Sequence, residues 1–177
     1  MYLINGQLHH AYSLDQALQD LQQALPQHLA RALDSRTVID AVAGFARQLH
    51  DAHSHLPLDN EQRQALIDFC QPEALAYKRQ RELGAEADCL RRFDYRQPRF
   101  EAWRPLGLVV HITPANAPLL AFCAVVESLL AGNVNWLRPS RSDQGLTAQL
   151  LRALVDCDAS GQLAGHVAVI PASTEQI

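Results

Sequence analysis

The sequence predicts an α/β fold, with a helical amino-terminal region followed by half of a doubly wound parallel sheet in the order β-α-β-α-β. Three observations carry that expectation. Up to about residue 84, apolar residues recur at helical spacing behind capping residues. From about residue 104, short aliphatic runs alternate with helical patterns, as in a parallel sheet with crossover helices. Between the two, from about 85 to 99, the composition turns charged. The division placed there gives residues 1–98 to the helical region and 99–177 to a partial nucleotide-binding, Rossmann-like domain.

The elements follow in chain order. Met1 to His10 is polar and has neither the basic nor the apolar segment of a secretory leader, and His9-His10 reads as an exposed end. Ser13 with Gln16 is a capping box, Leu14, Leu18, Leu21 and Leu25 form one stripe, and Pro26 is expected to end this first helix. Asp34 and Ser35 open a second helix that carries Val38, Val42, Phe45 and Leu49. Asp59 with Gln62 opens a third, carrying Ala65, Leu66 and Phe69. Pro72 starts a fourth, which Gly84 closes. After the charged strip, Leu108 to Ile112 reads as a buried strand, Pro118 to Ala131 as a helix apolar almost all round, and Val134 to Leu137 as a short strand. Pro139 to Asp143 is a loop, Gln144 to Asp156 a helix, and His166 to Ile170 a third strand. Trp103 and Trp136 read as packing residues. Three strands leave a bare sheet edge, which favours association, for example as a homo-oligomer.

Composition narrows the function. With 177 residues, 48% hydrophobic and 19% charged, the chain can build a core and is neither disordered nor low-complexity. A net charge of −4 supplies no global positive field, so no nucleic acid partner is expected. The longest apolar stretch, Pro118 to Ala131, is interrupted by Glu127 and is too short to span a bilayer. Cys70, Cys89, Cys123 and Cys157 include no CxxC pair, and reduced thiols in a cytoplasmic protein are the expectation. His50, His53 and His55 sit at a helix end, where cations are favourable, and without an evident fourth ligand no metal site is assigned. Arg91, Arg92, Arg96 and Arg99 interleave with Asp88, Asp94 and Glu101 as a solvated strip.

Chemistry is expected beyond the carboxyl ends of the strands, where open parallel sheets bind ligands. The first end is Thr113-Pro114-Ala115-Asn116-Ala117-Pro118. Asn116 there is either a helix N-cap or an amide donor aimed into a cleft. The second end is Arg138-Pro139-Ser140-Arg141, which is either a solvated loop or two guanidinium groups and a hydroxyl placed for phosphate and ribose. His111, within a strand run, reads as satisfying a core hydrogen bond.

Taken together the two ends resemble the aldehyde dehydrogenase superfamily. The resemblance covers about Arg104 to Ser142. It runs through Arg104-Pro-Leu-Gly-Leu-Val-Val-His-Ile-Thr-Pro-Ala-Asn116-Ala-Pro-Leu, then Leu130-Ala-Gly132-Asn133, then Trp136-Leu-Arg138-Pro-Ser140. Ala115 stands where that superfamily has tryptophan, Arg138 where it has lysine and Arg141 where it has glutamate. With Asn133 and Asn135 before Arg138, the pattern is most similar to the acyl-CoA reductases of the LuxC type.

That resemblance implies reduction of an acyl-CoA or other acyl thioester to an aldehyde, through a cysteine thioester and with a nicotinamide cofactor. By position it makes Asn116 the donor to the developing oxyanion, and Ile112, Thr113, Pro114 and Ala115 the lining of the cofactor cleft. It puts Arg138 at the adenosine ribose, beside Ser140. Arg141, a cation in place of a glutamate, favours the 2′-phosphate of NADPH over NADH. The superfamily's second glycine turn and its catalytic cysteine motif have no counterpart in these residues, so the chain is expected to be the amino-terminal part of a longer enzyme and inactive alone. A non-catalytic interaction subunit and a helical binding module are the competing readings. The last requires residues 108–112 to be helical.

Overall fold

The computed structural model describes residues 1–51, 55–84, 103–117 and 119–172. The chain begins with a hairpin, β1 (Tyr2–Ile4) and β2 (Gln7–His9), joined by Asn5-Gly6 with φ of 48° and 74°. Two successive positive φ values are what a tight hairpin turn of primed type needs, and Asn-Gly supplies them at least cost. Four helices follow: α1 (Leu14–Ala30), α2 (Ser35–His50), α3 (Asn60–Phe69) and α4 (Pro72–Leu83). The second part runs β3 (Leu108–Ile112), α5 (Leu120–Leu130), β4 (Val134–Arg138), a 3₁₀ turn at Arg141–Asp143, α6 (Leu146–Asp156) and β5 (Val167–Val169). The expected boundary at 98/99, the arginine strip, His53 and Cys89 lie outside the described residues.

The caps explain where the helices begin. Ser13 accepts from the Gln16 amide at 3.1 Å, and Asp34 from the Arg36 amide at 2.9 Å. Asp59 and Gln62 form a complete capping box. Gly84 closes α4 with φ of 102°. Pro26 does not end α1, which continues four residues further. Pro26 and Gln22, whose carbonyl loses its amide partner, are both exposed, so water takes over the missing hydrogen bond.

One mixed sheet has the order β2-β1-β5-β4-β3. β3, β4 and β5 are parallel, with Leu108 opposite Val134 and Ile112 opposite Arg138. This is the expected β-α-β-α-β half. β1 adds to it antiparallel, Leu3 opposite Val169, so the hairpin covers the edge that β5 would leave bare. Side chains alternate between two layers. Leu3, Leu137, Val167 and Val169 join the main core under α2, α5 and α6, while Ile4, Ala168 and Ile170 face Ala17 and Leu21 of α1. α5 lies between the sheet and α2, which accounts for its nearly all-round apolar surface. Phe45 of α2 meets Phe122 of α5 at a ring separation of 5.0 Å, fixing that contact.

Among the described residues β3 is the edge on the other side, and two of its side chains are largely exposed. Val110 is 60% and Ile112 66% exposed, and Leu106 and Trp103 just before them are exposed too. The aliphatic run therefore predicted the strand correctly and its burial wrongly. Trp103 is not a packing residue here, whereas Trp136 packs against the α1 layer. Among the described residues no helix is long and apolar enough to cross a membrane.

Candidate cofactor crevice at the strand tips

The parallel register of β3 and β4 puts Ile112 beside Arg138, so the two predicted strand ends are neighbours. Backbone and hydroxyl groups then stitch them together. The Thr113 amide donates to the Arg138 carbonyl at 3.3 Å. Ser142 Oγ donates to the Ala115 carbonyl at 3.3 Å and lies 2.9 Å from Ser140 Oγ. Arg138 Nε donates to the Ala172 carbonyl at 3.1 Å, tying the end of β4 to the chain leaving β5. Three strand ends thus make one platform.

Beside it lies a cavity of about 300 Å³ lined by Pro139, Ser140, Arg141, Pro171, Ala172 and Met1. That volume is at the small end for a ligand pocket and suits part of a dinucleotide. Its hydroxyl and guanidinium fit ribose and phosphate oxygens. Asp143, the carboxylate at this cavity, is taken by the Gly145 and Thr147 amides and the Thr147 hydroxyl, which anchor α6. The donor set therefore fits the ribose and phosphate part of a nucleotide cofactor.

Asn116 lies in an exposed turn, next to Ala115 and Pro114, which are exposed as well. It is not the helix cap. α5 begins at Leu120 with Leu119 in the N-cap position and no side-chain cap. Among the described residues no hydrogen bond engages the Asn116 side chain. Arg141 is exposed, while Thr113, Arg138 and Ser140 are half-buried. The crevice brings Ile112, Thr113 and Arg138 together, and Ser140 with Arg141. Asn116 stands on the adjacent turn, outside the cavity lined by Ser140 and Arg141.

Two contributors escaped the sequence. Ser142 links the turn to the loop, a role that spacing alone does not reveal. Met1 reaches the cavity because the hairpin carries it there, and the Asn5-Gly6 pair was the available signal. Below the crevice His111 Nε2 lies 3.0 Å from Asn135 Oδ1, the expected core hydrogen bond. Asn135 is fully buried and donates to the Asn133 carbonyl at 2.9 Å. Asn133 in turn accepts from the Leu106 amide at 2.7 Å, so the two asparagines brace the starts of β3 and β4.

None of the described cysteines resembles a nucleophile. Burial pushes the Cys70 thiol up to about 12 and the Cys123 thiol up to about 11, and raises that of Cys157. No group of three metal-ligating side chains occurs among the described residues.

The comparisons with known proteins agree on the fold. The chain superposes on an NAD-dependent benzaldehyde dehydrogenase from Corynebacterium glutamicum with a TM-score of 0.57 at 16% identity, covering 99% of this chain and 45% of that one. It superposes on the methylmalonate-semialdehyde dehydrogenase of Oceanimonas doudoroffii with a TM-score of 0.56 at 17% identity, covering 99% and 41%. The chain thus spans less than half the length of either enzyme. No curated protein sequence matches. The family model described as acyl-CoA reductase (LuxC) matches residues 30–177, which takes in α2 to β5 and the tips of β3 and β4, and the chain therefore belongs to the LuxC acyl-CoA reductase family.

Proposed function

We propose that these residues are the amino-terminal part of an NADPH-dependent reductase that converts an acyl-CoA thioester to an aldehyde, with the catalytic cysteine supplied from outside them. One observation carries the reading: β3 and β4 run parallel and end side by side, with the Thr113 amide bonded to the Arg138 carbonyl, at the sheet end where such folds bind nucleotides. The family match supports the acyl thioester as substrate class.

In this reading Arg138 and Ser140 hold the adenosine ribose, and Arg141 pairs with the 2′-phosphate. Ile112, Thr113, Pro114 and Ala115 form the wall along which the rest of the cofactor lies. When bound, the cofactor supplies hydride. Asn116 donates its amide to the thioester carbonyl oxygen as negative charge develops there, as a donor at an oxyanion does. A cysteine nucleophile needs a thiolate, and burial, which raises the thiols of Cys70, Cys123 and Cys157, disfavours that form in all three.

The test is made in the whole enzyme. Asn116→Ala is expected to lower kcat by about 10²–10³ with KM for acyl-CoA little changed. Activity within twofold of wild type contradicts the role. Arg141→Glu is expected to shift preference from NADPH towards NADH, and a wild-type preference for NADH that survives the substitution contradicts the cofactor assignment.

A further inference from the structure

Ser142 lies in the 3₁₀ turn after β4, exposed, between the two strand ends. Its Oγ is 3.3 Å from the Ala115 carbonyl oxygen and 2.9 Å from Ser140 Oγ. A serine hydroxyl has one proton to give and lone pairs with which to accept. A carbonyl oxygen has no proton, so the Ser142 proton goes to Ala115. The bond between the two serines then has one direction, with Ser140 donating and Ser142 accepting. The run is Ser140 hydroxyl, Ser142 hydroxyl, Ala115 carbonyl, and Asn116 is the next residue. With its proton committed to Ser142, Ser140 offers the cavity it lines an acceptor. An acceptor calls for a donor. A ribose hydroxyl supplies one and an unprotonated phosphate oxygen does not, which leaves the phosphate to Arg141.

We propose that Ser142 is a positioning residue, which passes occupancy of Ser140 by the cofactor ribose to the Ala115 carbonyl and so sets the aim of the Asn116 amide. The inference rests on the reading of Ser140 as a ribose contact and of Asn116 as the oxyanion donor. A hydroxyl that receives a hydrogen bond donates a stronger one, so a ribose hydroxyl on Ser140 tightens both bonds of the run. The Thr113 amide on the Arg138 carbonyl holds the turn where it leaves β3, and Ser142 holds it one residue before Asn116. The cofactor thereby readies the donor that the acyl group needs.

Two measurements test it. In the whole enzyme, kcat and KM for NADPH are compared for wild type, Ser142→Ala, Ser142→Thr, Asn116→Ala and the pair Asn116→Ala with Ser142→Ala. Ser142 is exposed, so its replacement does not empty the core. Ser142→Ala is expected to lower kcat about three- to tenfold with KM for NADPH within twofold, the scale of one neutral hydrogen bond. Ser142→Thr, which keeps the hydroxyl, is expected to return kcat to within twofold of wild type. Added to Asn116→Ala, the alanine at 142 is expected to cost less than twofold, because the group it positions is gone. Equal losses on both backgrounds, a loss expressed in KM, a threonine variant as slow as the alanine one, or Ser142→Ala within twofold of wild type overturns the proposal. Asn116→Ala within twofold of wild type overturns the reading beneath it, and the proposal with it. In the labelled chain, saturating NADPH is expected to shift the Asn116 side-chain amide less than half as far in Ser142→Ala as in wild type, with the Ser140 and Arg141 backbone shifts kept. An equal Asn116 response in both overturns the proposal alone. No shift at Ser140 and Arg141 in wild type overturns the cofactor reading and the proposal together.

Discussion

Cys70 is fully buried at the end of α3, and Cys123 is half-buried on α5 where the helix meets the main core. Burial disfavours their thiolates most, and the proximity of Cys123 adds to the effect at Cys70. Their thiol values of about 12 and 11 leave almost no thiolate at pH 8. Alkylation followed residue by residue by mass spectrometry at pH 8 should therefore leave both unmodified in the folded chain and modify both in denaturant. Rapid labelling of Cys123 in the folded chain would contradict that packing and reopen the question of a nucleophile within these residues. At this scale the sequence was informative where a residue's chemistry is local. His111 found its hydrogen bond, and the caps at Asp34 and Asp59 formed as expected, while at Ser13 the serine half of the expected box formed and the Gln16 side chain bonds Asp20 instead. It was silent on Ser142, whose partner is 27 positions away and becomes a neighbour only through the parallel register.

Among the elements, the hairpin is the one the sequence held but did not announce by hydrophobic content. Its strands are three residues each, too short for a visible alternation, yet Asn5-Gly6 encodes the turn. Gly6 has φ of 74°, and a Cβ there would approach the Ala164 methyl at 2.9 Å. Gly6→Ala therefore meets both backbone strain and a clash, and is expected to cost about 1–3 kcal/mol. For a chain of this size that lowers Tm by roughly 2–4 °C per kcal/mol, readable by calorimetry. An unchanged Tm would mean that the hairpin contributes nothing to the sheet. Pro26 and β3 show the converse limit of reading by element. Proline ends a helix only when the freed carbonyl has no other partner, and a run of aliphatic residues is buried only when something packs on it. Both conditions depend on surroundings that local sequence does not contain.

For the whole molecule, the sheet has one edge finished by the hairpin and, among the described residues, one left open at β3, with Val110, Ile112 and Leu106 exposed beside it. An open edge flanked by apolar side chains favours a further strand. Of the possible sources, a second copy of the chain gives the homo-oligomer the sequence led us to expect. Light scattering of the 177-residue chain is then expected to give a mass above that of a monomer, and a monomer at all concentrations would contradict self-association through β3. The β-α-β-α-β order was legible because helical and strand periods differ and the chain alternates between them. The second hairpin strand, the covered β5 edge and the exposure of β3 were not, because each is a property of pairing rather than of a segment.

If the tips of β3 and β4 form the floor of a nicotinamide cofactor crevice, the cofactor must perturb them on binding. Amide chemical-shift mapping of the labelled chain on titration with NADPH tests it most directly. The expected result is a set of saturable shifts confined to residues 112–117 and 138–142, with the Pro171–Ala172 segment beside them. Shifts absent there at saturating NADPH, or concentrated on the α1 face or the exposed edge of β3, would contradict the account.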